Sequence, residues 1–312
     1  MLQQTCCLCG AKTIIFLYAD INGYNLARCQ GCGLTFLNPQ PSQEELTKWY
    51  EKQQYFFIGA GERELEDYLS TGKFASDYTN RVIGIEKYIR SGSLLDVGCA
   101  GGIFLDCARR RGWTVTGIEL ADWEIQVARE RLGLDVRKGR LRDIGFPSGS
   151  FDVVTMWDVL EHTQDPAAEL VEVHRVLRGG GLLVITLPNI ASLIARLNGR
   201  RWTMINPPEH LFYFTPATLR QLLMTKGFQV VDMQTCNGEL GHSCLVLGMG
   251  MIGSASGSAL GSVRSLVRRL AWLKGWGFTL SRVIARTIAR PLFWLIPRLG
   301  LGEGIRVYAR KV

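Results

Sequence analysis

The sequence predicts an α/β protein built on a doubly wound, mainly parallel sheet. Two observations carry this: short apolar runs alternate with amphipathic stretches from Ser93 onward, and the first run ends in a small-residue turn that opens a helix. Leu94–Val97, Thr114–Ile118, Phe151–Met156 and Leu182–Leu187 read as buried strands, with Phe228–Met233 and Ile305–Ala309 after them. Asp165-Pro166 is an N-cap followed by proline at the first helical position, so a helix is expected from there to Gly179. Thr215-Pro216 opens another helix that Gly227 closes.

Before the sheet, Ser42 with Glu45 three residues later forms a capping-box pattern, so residues 41–90 are expected to be a helical lead-in or lid. The expected organisation is therefore a small cysteine-rich module over 1–40, the lead-in over 41–90 and the sheet domain over 91–236. A helical insertion over 237–302 and a last strand over 303–312 complete it.

Of the nine cysteines in 312 residues, five fall in the first 40, too few for a disulfide scaffold. The N-terminus has no basic stretch followed by an apolar one, so no export signal is expected and the chain reads as cytoplasmic. Cys6-x-x-Cys9 and Cys29-x-x-Cys32 then have the spacing of a four-cysteine structural zinc site, each pair forming a knuckle that aims two thiolates at one ion. Gly10, Gly31 and Gly33 stand where such knuckles need unusual backbone angles, and Cys7 is a spare that could compete with Cys6.

The first strand runs into Leu94-Leu95-Asp96-Val97-Gly98-Cys99-Ala100-Gly101-Gly102. A turn of small residues between strand and helix lets a ligand approach the backbone at the carboxyl edge of the sheet. The next strand ends in Glu119, placed to hydrogen-bond both hydroxyls of a ribose. The dinucleotide pattern G-x-G-x-x-G is not met, because Ala100 and Ile103 occupy its second and third glycine positions.

With these residues the chain resembles the class I S-adenosylmethionine-dependent methyltransferases, and within them the bacterial branch with an N-terminal zinc ribbon, often compared with ubiquinone-biosynthesis methylases. LLDVGCAGG resembles the first motif, GIEL the second and FDVVTMWDVLEH the fourth. HRVLRGGGLLVITLPN and PEHLFYFTPATLRQLLMTKGF resemble the later elements. The resemblance implies a seven-stranded Rossmann-like sheet and S-adenosylmethionine as cofactor. It places Asp96 and Gly98 at the methionine end of the cofactor with Ala100 and Gly102 beside them. Glu119 would hold the ribose, Leu120 would flank the adenine, Asp143 would bond its amino group, and Trp157 would line the methyl-transfer pocket. Ala100, where the commonest motif has glycine, is the visible departure.

A hydroxyl acceptor benefits from a base. His210, His162 and Asp158 are the catalytic candidates, with Glu161 beside them, because all follow strands at the carboxyl edge; His174 lies within a helix and reads as structural. Asn206-Pro207-Pro208-Glu209 mimics the motif of amine methylases, but it follows the fifth strand and Glu209 replaces the aromatic residue. The expected reaction is O-methylation of a small or lipid-linked acceptor, a sugar or quinol. RNA methylation and an inactive cofactor-binding scaffold are the alternatives.

The net charge of +8 is unevenly spread: residues 264–312 hold eleven Lys/Arg and one acid, leaving the rest at −2. Residues 240–263 are uncharged, but their glycines and serines and a short apolar run do not suit a membrane span. Arg282, Arg286 and Arg290 share one helical face opposite Leu280, Val283, Ile284 and Ile288. Such a segment, 264–298, suits peripheral docking on an anionic inner-membrane surface or a lid over the active site. A nucleic-acid partner is disfavoured because bulky aliphatics alternate with the basic residues.

Overall fold

A computed structural model of the chain describes residues 5–237 and 295–312. The amphipathic segment read at 264–298 and the uncharged stretch at 240–263 fall outside or almost wholly outside those residues.

The chain begins with an antiparallel meander of β1 (Ile14–Ile21), β2 (Tyr24–Cys29) and β3 (Thr35–Leu37). Asn22-Gly23 joins the first two, both at positive φ (51° and 83°), as a two-residue hairpin of matching twist requires. The capping box forms as the sequence predicts. The Ser42 hydroxyl accepts from the Glu45 N–H at 3.2 Å, and the Glu45 carboxylate accepts from the Ser42 N–H at 2.7 Å. It starts α1 (Gln43–Thr71), which Gly72 ends in the left-handed conformation; α2 (Ala75–Glu86) follows.

The sheet domain runs β4 (Ser93–Val97), α3 (Ile103–Arg110), β5 (Thr114–Glu119), α4 (Asp122–Leu132), β6 (Val136–Lys138), α5 (Leu141–Ile144) and β7 (Phe151–Trp157). It continues with α6 (Pro166–Val176), β8 (Leu177–Pro188), α7 (Leu193–Asn198), β9 (Phe212–Tyr213), α8 (Pro216–Thr225), β10 (Phe228–Cys236) and β11 (Gly304–Lys311). Seven strands pair in the order β10-β11-β8-β7-β4-β5-β6. The five from β8 to β6 are parallel, and β11 is antiparallel between β8 and β10. Strand order reverses at β4, so the crevice at its carboxyl end is the switch point where ligands bind in such sheets.

Both faces of the sheet are covered, as a parallel sheet demands. Leu94, Val153 and Val184 pack with Ile85 and Phe104 on one face; Leu95, Val154 and Ile185 pack on the other. That second core also contains Leu26, Leu34, Phe36 and Leu37 of the meander. β9 extends the meander to a fourth strand, pairing Phe212 with Phe36, and the Leu37 N–H donates to the Leu211 carbonyl at 2.9 Å.

One expectation is corrected here. The helix begun at Asp165 ends at Val176 instead of Gly179, because Leu177 pairs with Phe151 and starts β8. Gly181 lies inside that strand, where a Cβ would sit 2.9 Å from the Arg178 carbonyl oxygen. β6 and β9, at three and two residues, are too short to show an alternating pattern in sequence.

Candidate functional site

The Cys6–Cys9 and Cys29–Cys32 knuckles come together at the base of the meander. In each, a backbone turn closes on the first cysteine: Gly10 N–H donates to the Cys6 carbonyl at 2.8 Å and Gly33 N–H to the Cys29 carbonyl at 3.0 Å. The sulfurs of Cys6 and Cys32 lie 3.4 Å apart and those of Cys9 and Cys29 lie 3.5 Å apart. A tetrahedral zinc with bonds of about 2.3 Å places its sulfurs about 3.8 Å apart, so the four residues fit the ion. Burial pushes the Cys29 thiol up, but the N–H groups of Cys32 and Gly31 and the Cys9 thiol outweigh it and bring it to about 7. Gly10 and Gly33 have positive φ; Gly31 does not, and its role is space, since a Cβ there would lie 3.3 Å from the Cys9 sulfur. Cys7 stays outside the cluster, its thiol pushed up to about 12 by burial.

At the switch point, Gly98 and Gly102 both have positive φ, 70° and 84°. A Cβ on Gly98 would meet Val159 Cγ2 at 2.6 Å, and one on Gly102 would meet Leu134 Cδ1 at 2.5 Å. Ala100 takes the same left-handed region at φ 46°, so the departure from glycine is accommodated at some backbone strain. Its N–H donates to Glu119 Oε2 at 3.1 Å, while Glu119 Oε1 accepts from Leu120 N–H at 2.6 Å and Ala121 N–H at 3.1 Å. Beside it Leu120 is an exposed apolar side chain, 55% accessible. Asp96 lies under the turn, 1% accessible, and accepts from the Thr155 hydroxyl at 2.6 Å. Burial holds its carboxyl well above the usual range, against the pull of Thr155 and the charge of Arg81. Asp143 is exposed on the short α5.

Trp157 ends β7 with its indole N–H buried and without a hydrogen-bond partner. Phe104 meets its ring edge-on at 5.1 Å and the Arg81 guanidinium lies 4.8 Å over it. Arg81 comes from α2, and Glu64 of α1 accepts from Tyr78 at 2.8 Å. Glu124 on α4 has its carboxyl raised to about 8 by burial and by the charges of Glu119 and Glu64. Sequence reasoning missed these lead-in and α4 residues, because nothing local pairs them with the turn.

The catalytic candidates gather beyond β7. Asp158, at φ 56°, accepts from the Thr186 hydroxyl at 3.2 Å. The Leu211 N–H donates to the Glu161 carbonyl at 2.9 Å and draws His210 against His162, ring centroids 4.7 Å apart. His162 Nδ1 sits 2.9 Å from the Glu209 carbonyl and His210 Nδ1 sits 2.7 Å from the Met204 carbonyl. A carbonyl only accepts, so each Nδ1 carries a proton; in a neutral ring the lone pair is then on Nε2. Burial, with His210 nearby, pulls His162 down to about 3, so its ring is neutral. Glu161 is 1% accessible and neither carboxylate oxygen has a hydrogen-bond partner. One ligand atom from each of Glu161, His162 and His210 lies within 4.8 Å of the others, so the three can hold a cation. His174, as expected, is structural: it packs edge-on against Phe228 and faces the Val312 carbonyl.

Residues 66–233, just over half of the chain, match a family described as a methyltransferase domain. A ubiquinone biosynthesis O-methyltransferase of Cereibacter sphaeroides is 34% identical over 150 residues, covering 45% of this chain and 61% of that protein. One of Ruegeria pomeroyi is 29% identical over 177 residues, covering 53% of this chain and 71% of that protein. The chain thus spans less than two thirds of the first relative's length. A solved S-adenosylmethionine-dependent methyltransferase of Thermotoga maritima superposes with a TM-score of 0.49 at 16% identity, covering 83% of this chain and 100% of that one. Among the described residues, no helix is long and apolar enough to cross a membrane.

Proposed function

The chain belongs to the class I S-adenosylmethionine-dependent methyltransferases, and from that premise we propose that it methylates a hydroxyl of a small or lipid-linked acceptor, a sugar or a quinol. The observation that carries the reading is the contact of Ala100 with Glu119, which puts a small-residue turn and an acid side by side at the sheet's switch point. Asp96, Gly98, Ala100 and Gly102 take the methionine end of the cofactor, Glu119 the ribose, Leu120 and Asp143 the adenine. Trp157 walls the transfer site. Cys6, Cys9, Cys29 and Cys32 hold a structural zinc.

Bound S-adenosylmethionine supplies an electrophilic methyl on sulfur. The chain's part is to align the acceptor oxygen with that methyl, worth roughly 7–11 kcal/mol in favourable cases, and to take the hydroxyl proton. His210 is the base through Nε2, with His162 neutral beside it and Asp158 at the rim. The orphaned oxygens of Glu161 favour a second arrangement, in which Glu161, His162 and His210 hold a divalent cation that polarises the hydroxyl. Docking of residues 264–298 on an anionic membrane rests on the sequence alone.

The test is transfer of label from S-[methyl-³H]adenosylmethionine into extract of a strain lacking the gene. Base-stable label in lipid or small-molecule fractions is expected. Label confined to nuclease-sensitive material would replace this reading with RNA methylation.

A further inference from the structure

A groove of about 440 Å³ opens where three separate parts of the chain meet: the β1–β2 hairpin, the first turns of α1 and the loop before His210. Its volume falls within the range of small-molecule sites, roughly 300–1,000 Å³. Tyr24 and Trp49 supply aromatic faces, and Pro207 and Pro208 form the floor. Asn22, Glu45 and Lys48 bring an amide, a carboxylate and an ammonium to the same space, each with a protein partner already: the Glu45 carboxylate accepts from the Ser42 N–H and the Lys48 ammonium pairs with Glu44 at 2.6 Å, so a ligand would use their remaining donor and acceptor capacity.

The groove is coupled to the candidate chemistry by hydrogen bonds. Asn22 Nδ2 donates to the Pro207 carbonyl at 3.1 Å, tying the hairpin to the loop. Two residues on, the Glu209 carbonyl orients His162, and His210 follows. The Leu37–Leu211 hydrogen bond and the Phe36–Phe212 pair hold the other side of that loop against the meander. The cysteine module therefore does more than cap the N-terminus: its meander is hydrogen-bonded to the loop that carries His210.

We propose that this groove holds the non-reacting part of the acceptor, and that this part is a polyhydroxylated ring, a pyranose. The inference rests on the methyltransferase reading above and specifies its acceptor. Aromatic and proline faces offer an apolar surface for the C–H face of a sugar, while the amide, carboxylate and ammonium match its ring hydroxyls. A prenyl chain lying there would cover polar groups while offering them no hydrogen bond. A planar catechol, with two hydroxyls on one edge, would engage fewer of these groups than a pyranose.

The test is saturation-transfer NMR on the full chain with S-adenosylhomocysteine present. The probes are methyl α-D-mannopyranoside, methyl β-D-glucopyranoside, methyl β-D-galactopyranoside and catechol. Ring protons of at least one pyranoside should take up saturation, and the signal should fall at least fivefold in both Trp49→Ala and Tyr24→Ala. Unchanged calorimetric affinity for S-adenosylhomocysteine in each variant shows that it is folded. The proposal is overturned by saturation of catechol alone, by saturation of no probe, or by a pyranoside signal that persists in a folded variant. Failure of the wild-type chain to bind S-adenosylhomocysteine would instead overturn the methyltransferase reading.

Discussion

The backbone N–H of Ala100 donates to the Glu119 carboxylate at 3.1 Å, so the turn after β4 and the acid after β5 touch across the switch point. A carboxylate offers roughly four acceptor sites, and Ala100, Leu120 and Ala121 use three of them. In the proposed reading a ribose hydroxyl would take the remaining capacity or replace the turn contact. Three backbone N–H groups thus orient the acid in advance, so a ligand bound there would have little ordering left to impose.

Gly98→Ala should destabilise the fold and weaken the cofactor site together. Its φ of 70° costs a side chain about 1–3 kcal/mol, and the new methyl would meet Val159 at 2.6 Å. Urea denaturation should show a lower midpoint at unchanged slope; an unchanged midpoint contradicts the turn geometry.

Cys29→Ser should abolish metal binding. Atomic emission should find about one zinc per wild-type chain and none in the variant. Because β3 pairs with β9, the effect should spread: the Leu37 amide, bonded to Leu211, should exchange faster in the variant. Metal-free wild-type protein purified without chelator would dismiss the zinc assignment.

Glu124 makes stability depend on pH in a stated direction. Burial first, then Glu119 and Glu64, raise its carboxyl from the usual 4.5 to about 8. Between those values the folded chain holds a proton the unfolded chain has lost. Its contribution is therefore complete below pH 4.5 and declines as pH rises towards 8, by up to roughly 1.4 kcal/mol per pH unit. Urea midpoints at pH 6 and pH 8 should differ more in the wild type than in Glu124→Gln; equal differences would assign the proton elsewhere.

Much of this site was legible in the sequence, for identifiable reasons. Asp96 through Gly102 and Glu119 are adjacent to strands whose apolar runs are unambiguous, so placing the strands placed them. The cysteine pairs were legible because a knuckle is local. Arg81, Glu64 and Glu124 were not, since their proximity to the turn depends on how α1, α2 and α4 dock. Glu161 and His162 are neighbours in sequence, but their approach to His210 depends on the hydrogen bond from Leu211 to the Glu161 carbonyl. The joining of the meander to the loop that carries His210 was invisible because β9 is two residues long. Gly31 shows a smaller limit: the sequence marked the residue, but steric room, not backbone angle, explains it.

The most direct test of the account is calorimetric titration with S-adenosylhomocysteine. The wild-type chain should bind one equivalent, and Glu119→Ala should bind at least tenfold more weakly, about 1.4 kcal/mol. Equal affinity in the two proteins, or no binding by the wild type, would contradict the assignment of this crevice to the cofactor.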